Sequence, residues 1–364
     1  MDFSPEILRS AAELFFEGGP DGISLLSSSE REEDVRAAVL AVKDGQKSVV
    51  KLAANAFTTS RRIEGWRTLI RETRSLGVYT PDLIPSVKGR LSEEFEIDGR
   101  RFVVWREEFA PYPFAQTQEE YGKDSYKEKD ASRPRSAGGA FPAWQEELIL
   151  FYASLGAKRL TGFPGPSGYA RLTPFDGEKT DEVEECVLAV EEKIRADHPA
   201  LLSRWEGIRS RWNENRDALA VLYPRLLSSV FQADWNDTNV LLTKDGHFAG
   251  LIDCNLAGED KVLNMALSVG HYGFNASPGG RGEDLKRTAA VLTLFAEKYR
   301  WTPEEIEAAP LLWRYMTALY WGEVEDIGKA QNDGEAAAVL DRIEAGLEAA
   351  HSFGPFMRRT DSRG

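Results

Sequence analysis

Residues Ser229–Asp260 read SVFQADWNDTNVLLTKDGHFAGLIDCNLAGED, and short apolar runs separate their polar side chains. Val230 and Phe231 lead to Asp234, and Asn239 follows five residues later. Val240-Leu241-Leu242 predicts a strand, Lys244-Asp245-Gly246 a tight turn, and His247–Ile252 the return strand, which ends at Asp253. A hairpin folds its ends together, so Asn239 and Asp253 fall at the open end, where their side-chain oxygens converge on one cation. Hard oxygen donors suit Mg2+, which leaves most of its coordination to water and phosphate oxygens. Asp234, on the loop entering the hairpin, is placed to orient or deprotonate a hydroxyl attacking a phosphate held by that metal.

Outward from this segment, the first hundred residues predict a β-rich unit. A helix over Pro5–Phe16 precedes strands at Ile23–Ser29, Asp34–Val42 and Lys47–Ala53, the last two joined by Lys43-Asp44-Gly45-Gln46. Lys51 stands in an otherwise apolar strand. Hydroxyls of Thr58-Thr59-Ser60 start a helix carrying Ile63, Trp66, Leu69, Ile70 and Leu76, which Gly77 and Pro81 end. Strands at Ser92–Ile97 and Arg101–Trp105 flank an Asp98-Gly99 turn. From Gln116 to Ala143 the chain is rich in charge, Ser, Gly and Pro, and reads as a solvated insert. Helices are predicted at Trp144–Leu160, Asp181–Asp197, Leu201–Leu222, Asp284–Tyr299, Pro303–Ile327 and Gly334–His351. The expected fold is α+β and bilobal. Residues 1–110 form an amino-terminal lobe, 111–143 a hinge exit and polar insert, and 144–364 a mainly helical lobe carrying the hairpin.

Composition narrows the partners. Of 364 residues, 45 are Lys or Arg and 59 Asp or Glu, a formal charge of −14 that repels phosphate backbones and anionic lipids. Nucleic acid and membrane are therefore not expected partners; the oligomeric state is unreadable. Two cysteines, Cys186 and Cys254, build no disulfide framework. The acidic opening lacks the bases and apolar core of a signal peptide, and the apolar stretch near Leu148–Leu155 falls far short of a span. A cytoplasmic protein is expected. The four histidines lack ligand spacing, and Cys254 reads as a packed apolar residue.

The order Asp234-x-x-x-x-Asn239, apolar strand, turn, Leu251-Ile252-Asp253 resembles the catalytic segment of the aminoglycoside phosphotransferase/choline kinase-like family, which has a protein-kinase-like fold. That family usually opens with His-Gly-Asp, where this chain reads Gln232-Ala233-Asp234. Its Asn-to-Asp spacing is about thirteen; here it is fourteen, the extra residue being assigned to the hairpin turn. The family's His is thought to brace the loop, and a Gln amide can donate and accept in its place. The resemblance implies an ATP-dependent, Mg2+-dependent phosphotransferase acting on a hydroxyl of a small molecule. Lys51 would hold the α- and β-phosphates, oriented by a glutamate of the following helix, either Glu64 or Glu72. The loop Ser27–Arg31 would cover the phosphates through Ser28 and Ser29, and adenine would meet backbone groups around Glu107–Phe109. Asn239 and Asp253 would hold Mg2+, and Asp234 would serve as catalytic base.

Trp313, Tyr320 and Trp321, with Glu323, Glu325 and Asp326, are expected on one late helix. Aromatics so spaced usually pack in a core. In the family such helices line the acceptor pocket, which makes Trp321, Glu325 and the nearer Asp237 candidates for a cationic or sugar-like acceptor. Two alternatives remain. Gln232 and Ala233 in the loop motivate a nucleotide-binding pseudokinase. A protein kinase is opposed by Asp253-Cys254-Asn255 where Asp-Phe-Gly would stand.

Overall fold

The computed structural model describes residues 3–32, 34–115, 141–167, 180–234, 237–272, 281–348 and 352–358. The polar insert expected up to residue 143 lies outside them, apart from 141–143. Contacts divide the chain into two compact units: Met1–Phe151 with Leu160–Gly168 and Val230–Glu259, and Tyr152–Arg159 with Tyr169–Ser229 and Asp260–Gly364.

The first unit is built on a five-stranded antiparallel sheet in the order β1-β2-β3-β5-β4. Its strands are β1 (Gly22–Arg31), β2 (Asp34–Lys43), β3 (Gln46–Asn55), β4 (Ser92–Ile97) and β5 (Arg100–Glu108). Two of the expected turns form with only two residues: Lys43 pairs with Gln46 across Asp44-Gly45, and Ile97 with Arg100 across Asp98-Gly99. Both residues of each turn have positive φ, the hairpin geometry that Asp-Gly accommodates.

Strand alternation then sorts the two faces. Val35, Ala37, Val39, Ala41, Val50, Leu52, Phe102 and Val104 are buried in one cluster with Leu8, Ala11 and Ala12 of helix α1 (Pro5–Glu13). Lys51, Trp105 and Glu107 have the opposite parity and face the other side. Helix α2 (Ser60–Ser75) covers that side, with Trp66 edge-on to Trp105 at 5.5 Å between ring centres. Thr59 caps α2 by accepting from Arg62 N (3.3 Å).

The expected hairpin is β7 (Val240–Leu242) with β8 (Phe248–Leu251). Its register skips Ala249, because Leu241 faces Gly250 and Leu242 faces Phe248. The irregularity is thus a bulge within the strand, not an enlargement of the turn. Both hairpin edges are tied. Tyr79 N donates to Ala249 O (2.9 Å) and Leu251 N to Tyr79 O (3.0 Å), while Ala115 N donates to Val240 O (2.8 Å) and Leu242 N to Pro113 O (2.9 Å). Gly250 is required at the first edge, since a Cβ there would stand 2.1 Å from Tyr79 O.

The second unit is mainly helical. Helices α4 (Glu182–Asp197), α5 (Leu202–Leu222), α6 (Val262–Tyr272), α7 (Arg281–Lys298), α8 (Pro303–Thr317), α9 (Trp321–Lys329) and α10 (Asp333–Glu348) follow α3 (Ala143–Lys158). The single helix expected over Pro303–Ile327 is two. Tyr320 adopts an extended backbone, with its N–H donating to Glu323 Oε2 (3.1 Å), so Glu323 starts a new helix and ends continuity with α8.

Glu305 is fully buried in α8, accepting from Tyr299 OH (2.7 Å) and Thr302 N (2.9 Å). Burial raises its pKa despite these bonds. A raised carboxyl pKa favours folding while the group is protonated, and that stability is lost as pH rises through the folded value. Glu305→Gln removes the charge and keeps one of the two acceptor oxygens, for Thr302 N, while the amide NH2 can donate to the Tyr299 hydroxyl oxygen. Its stability relative to the parent is expected to increase as pH rises from the ordinary carboxylate range, about pH 4, through the raised folded value. Denaturant midpoints across that range check this, and a pH-independent difference would contradict it.

Candidate active site

The first unit brings Lys51, Glu107 and Asp253 together. Lys51 Nζ lies 3.0 Å from Glu107 Oε2 and 3.3 Å from Asp253 Oδ1, and its side chain is only 11% exposed. Register explains the Glu107 contact: Lys51 faces Trp105 across β3 and β5, and Val49 faces Glu107. Lys51 and Glu107 are therefore diagonal neighbours on one face, within reach of long side chains. Trp105 Nε1 donates to the other Glu107 oxygen (2.6 Å), which fixes the carboxylate. Burial opposes the charge on Lys51, but the Asp253 and Glu107 carboxylates outweigh it and raise its pKa.

This corrects the expected partner. Glu64 is exposed on α2, one position beyond inward-facing Ile63, and Glu72 meets Arg71 (3.3 Å). Neither pairs with Lys51, whose carboxylate from the sheet comes from β5. Glu107 is expected to offer its backbone; its side chain in addition reaches the lysine. The signal was present in the odd-numbered parity of residues 103, 105 and 107, but only the strand register makes it readable.

Asp253 has φ 66 and ψ 76, a left-handed conformation uncommon for a residue with a Cβ. It caps a short 3-10 helix, Cys254–Leu256, accepting from Asn255 N (3.4 Å). Gln232 holds this backbone. It is buried, and its Nε2 lies 3.0 Å from Asp234 O, 2.8 Å from Ile252 O and 3.0 Å from Asp253 O. One amide thus ties the loop of Asp234 to the end of the hairpin. Asn239 adds a second tie, with Nδ2 donating to Asp234 O (3.3 Å) and its carbonyl accepting from Ile252 N (2.9 Å).

The donor set fits Mg2+. Because the Asn239 amide nitrogen is engaged by Asp234 O, its amide oxygen is the end free to turn to a cation, and Asp253 supplies a carboxylate. One amide and one carboxylate would leave further coordination to phosphate and water. Cys254 is buried, and burial, with Glu107 adding to it, pushes its thiol up to about 12.

The remaining candidates lie elsewhere. Ser28 and Ser29 are not in a loop: they pair with Ala37 and Arg36 within β1 and β2, which continue to Arg31 and Asp34. Phe109 follows β5, 41% exposed, with Lys47 Nζ 5.4 Å from its ring centre. Asp237 is partly buried on the turn before Asn239. Trp321 and Glu325 belong to the second unit, on α9. Trp321 Nε1 donates to Glu182 (3.2 Å), and Glu325 pairs with Lys329 (3.0 Å).

The fold is protein-kinase-like, as the sequence resemblance implies. The chain is similar to the solved structure of a microcompartment-associated aminopropanol kinase, at 15% identity and a TM-score of 0.56 over 94% of this chain and 95% of that one. An amicoumacin kinase in complex with AMP-PNP, Ca2+ and its ligand has a TM-score of 0.49 at 15% identity, covering 94% and 92%. A spectinomycin phosphotransferase in complex with ADP and spectinomycin has 0.48 at 11% identity, covering 98% of each chain. No family model and no curated protein matches the chain. Among the described residues, no helix is long and apolar enough to cross a membrane.

Proposed function

We propose that the protein transfers the γ-phosphate of ATP to a hydroxyl of a small molecule, an amino sugar, aminoglycoside, sugar or amino alcohol. The observation that carries this reading is the contact of Lys51 with Asp253, 202 residues apart in sequence and 3.3 Å apart in the fold. That contact sets a protonated amine beside the hairpin end where Asp234, Asn239 and Asp253 meet. Lys51 holds the α- and β-phosphates, and Glu107 keeps it charged and aimed. Asn239 and Asp253 would hold Mg2+, which neutralises phosphate charge when bound. Asp234 takes the acceptor proton as the acceptor oxygen bonds to the γ-phosphorus and the bond to the bridging β-phosphate oxygen breaks, releasing ADP. Positioning and charge neutralisation carry such a transfer.

Residues 1–110 serve the nucleotide, with adenine at the backbone around Glu107–Phe109, and 144–364 carry catalysis and the acceptor. The aminopropanol kinase of like fold and the acidic composition favour a cationic acceptor. The test is nucleotide consumption with Mg2+ against a panel of sugars, amino sugars and amino alcohols. Acceptor-dependent ADP release is expected for at least one class. Tight Mg·ATP binding with no acceptor-dependent turnover would replace the reading by a nucleotide-binding module.

A further inference from the structure

A cavity of about 510 Å3 lies at the amino-terminal end of α2, lined in part by Thr59, Arg61, Arg62, Phe163, Pro164 and Gly165. No carboxylate lines it among the described residues, in a chain whose net charge is −14. Arg62 is 8% exposed, donates from Nη2 to Ala257 O (2.6 Å), and lies over the Phe163 ring at 5.9 Å. Its Nε is buried with no hydrogen-bond partner, and no described carboxylate pairs with it or with Arg61. The first turn of α2 contains no acid, so the helix adds its own positive end to these two cations.

A buried cation without a counter-charge is costly, and burial indeed lowers the Arg62 pKa. Two glycines allow the 163–165 loop to lie close to Arg62 and α2. A Cβ on Gly165, at φ +117, would approach Arg62 Nη1 to 3.3 Å, and one on Gly65 would meet Pro164 Cδ at 2.8 Å, pushing the 163–165 loop off the helix.

We propose that this cavity binds a phosphate-type dianion, free or as the phosphate group of a small metabolite, held by Arg61 and Arg62 at the start of α2. Planar guanidinium groups match the geometry of phosphate oxygens, and the helix end adds a favourable field. The assignment is independent of the roles proposed for Lys51, Asp234 and Asp253, none of which lines the cavity.

Calorimetric titration of the full chain with inorganic phosphate, at ionic strength held constant with chloride, tests it. The parent and Lys51→Met are expected to bind phosphate alike, whereas Arg61→Gln weakens binding at least about tenfold, roughly 1.4 kcal/mol. Arg62→Gln should do the same, and Arg61, being exposed, covers the case in which the Arg62 variant fails to fold. Absence of binding to the parent, or loss in Lys51→Met with retention in Arg61→Gln, would overturn the proposal, the latter by placing phosphate at the lysine. Acetate binding as tightly as phosphate would overturn the assignment to a dianion. Glucose 6-phosphate, titrated alongside, separates a bound metabolite phosphate from free phosphate by which binds more tightly, and either preference supports the site. Acceptor-dependent nucleotide consumption is read separately, so failure here leaves the kinase reading to its own test.

Discussion

Asp234→Ala is expected to lower acceptor-dependent phosphoryl transfer by about 10²–10⁴-fold, the range of a positioned general base. Mg·ATP affinity should change little, because Lys51, Asn239 and Asp253 all remain. Gln232 and Asn239 hold residue 234 through its backbone carbonyl, and both of these ties remain when its side chain is removed. Single-turnover transfer and nucleotide titration on the same preparation separate the two effects. Transfer at the parental rate would remove Asp234 from the chemistry. Loss of nucleotide binding in parallel would mean that its carboxylate helps to hold the nucleotide site.

The second large effect is on stability. Gly250→Val is expected to cost about 2–6 kcal/mol, combining steric strain of about 1–3 kcal/mol with loss of two hydrogen bonds at about 0.5–1.5 kcal/mol each. The Cβ would sit 2.1 Å from Tyr79 O, a carbonyl that accepts from Leu251 N, while Tyr79 N donates to Ala249 O. Backbone cannot yield as a side-chain tip can, so the β8 edge must separate from the segment after α2. Asp253 is two residues beyond Leu251, so transfer activity should fall with stability. Denaturant midpoints give the first quantity; a change below about 1 kcal/mol would mean that the edge can open without loss.

The elements legible in the sequence were those with local signals. Asp44-Gly45 and Asp98-Gly99 adopt the turns their composition predicts, and β2 alternates as its residues do. Lys51 stood out because a lysine interrupts an apolar strand. What was not legible depends on register or on competing caps. Glu107 reaches Lys51 only because β3 and β5 align Val49 with Glu107, a pairing between residues far apart in the chain. The helix expected over Pro303–Ile327 runs through the apolar stretch Ala318-Leu319-Tyr320-Trp321, yet the capping contact of Glu323 with Tyr320 N divides it. Ser28 and Ser29 carry loop-like chemistry but sit opposite Ala37 and Arg36, where β2 imposes a strand. Local propensity yields to pairing in such places.

The double pairing of Lys51 also sets an order of events during synthesis. Glu107 leaves the ribosome about 50 residues after β3, whereas Asp253 follows about 150 residues later, roughly 7–30 s at ~5–20 residues per second. In that interval the emerging sheet already contains a lysine on the face that α2 will cover. With Glu107 diagonal to it on the same sheet, the nascent lysine has a counter-ion before its distant partner exists. The β5 carboxylate thus lets the amino-terminal sheet close early, and Asp253 joins a charge already neutralised.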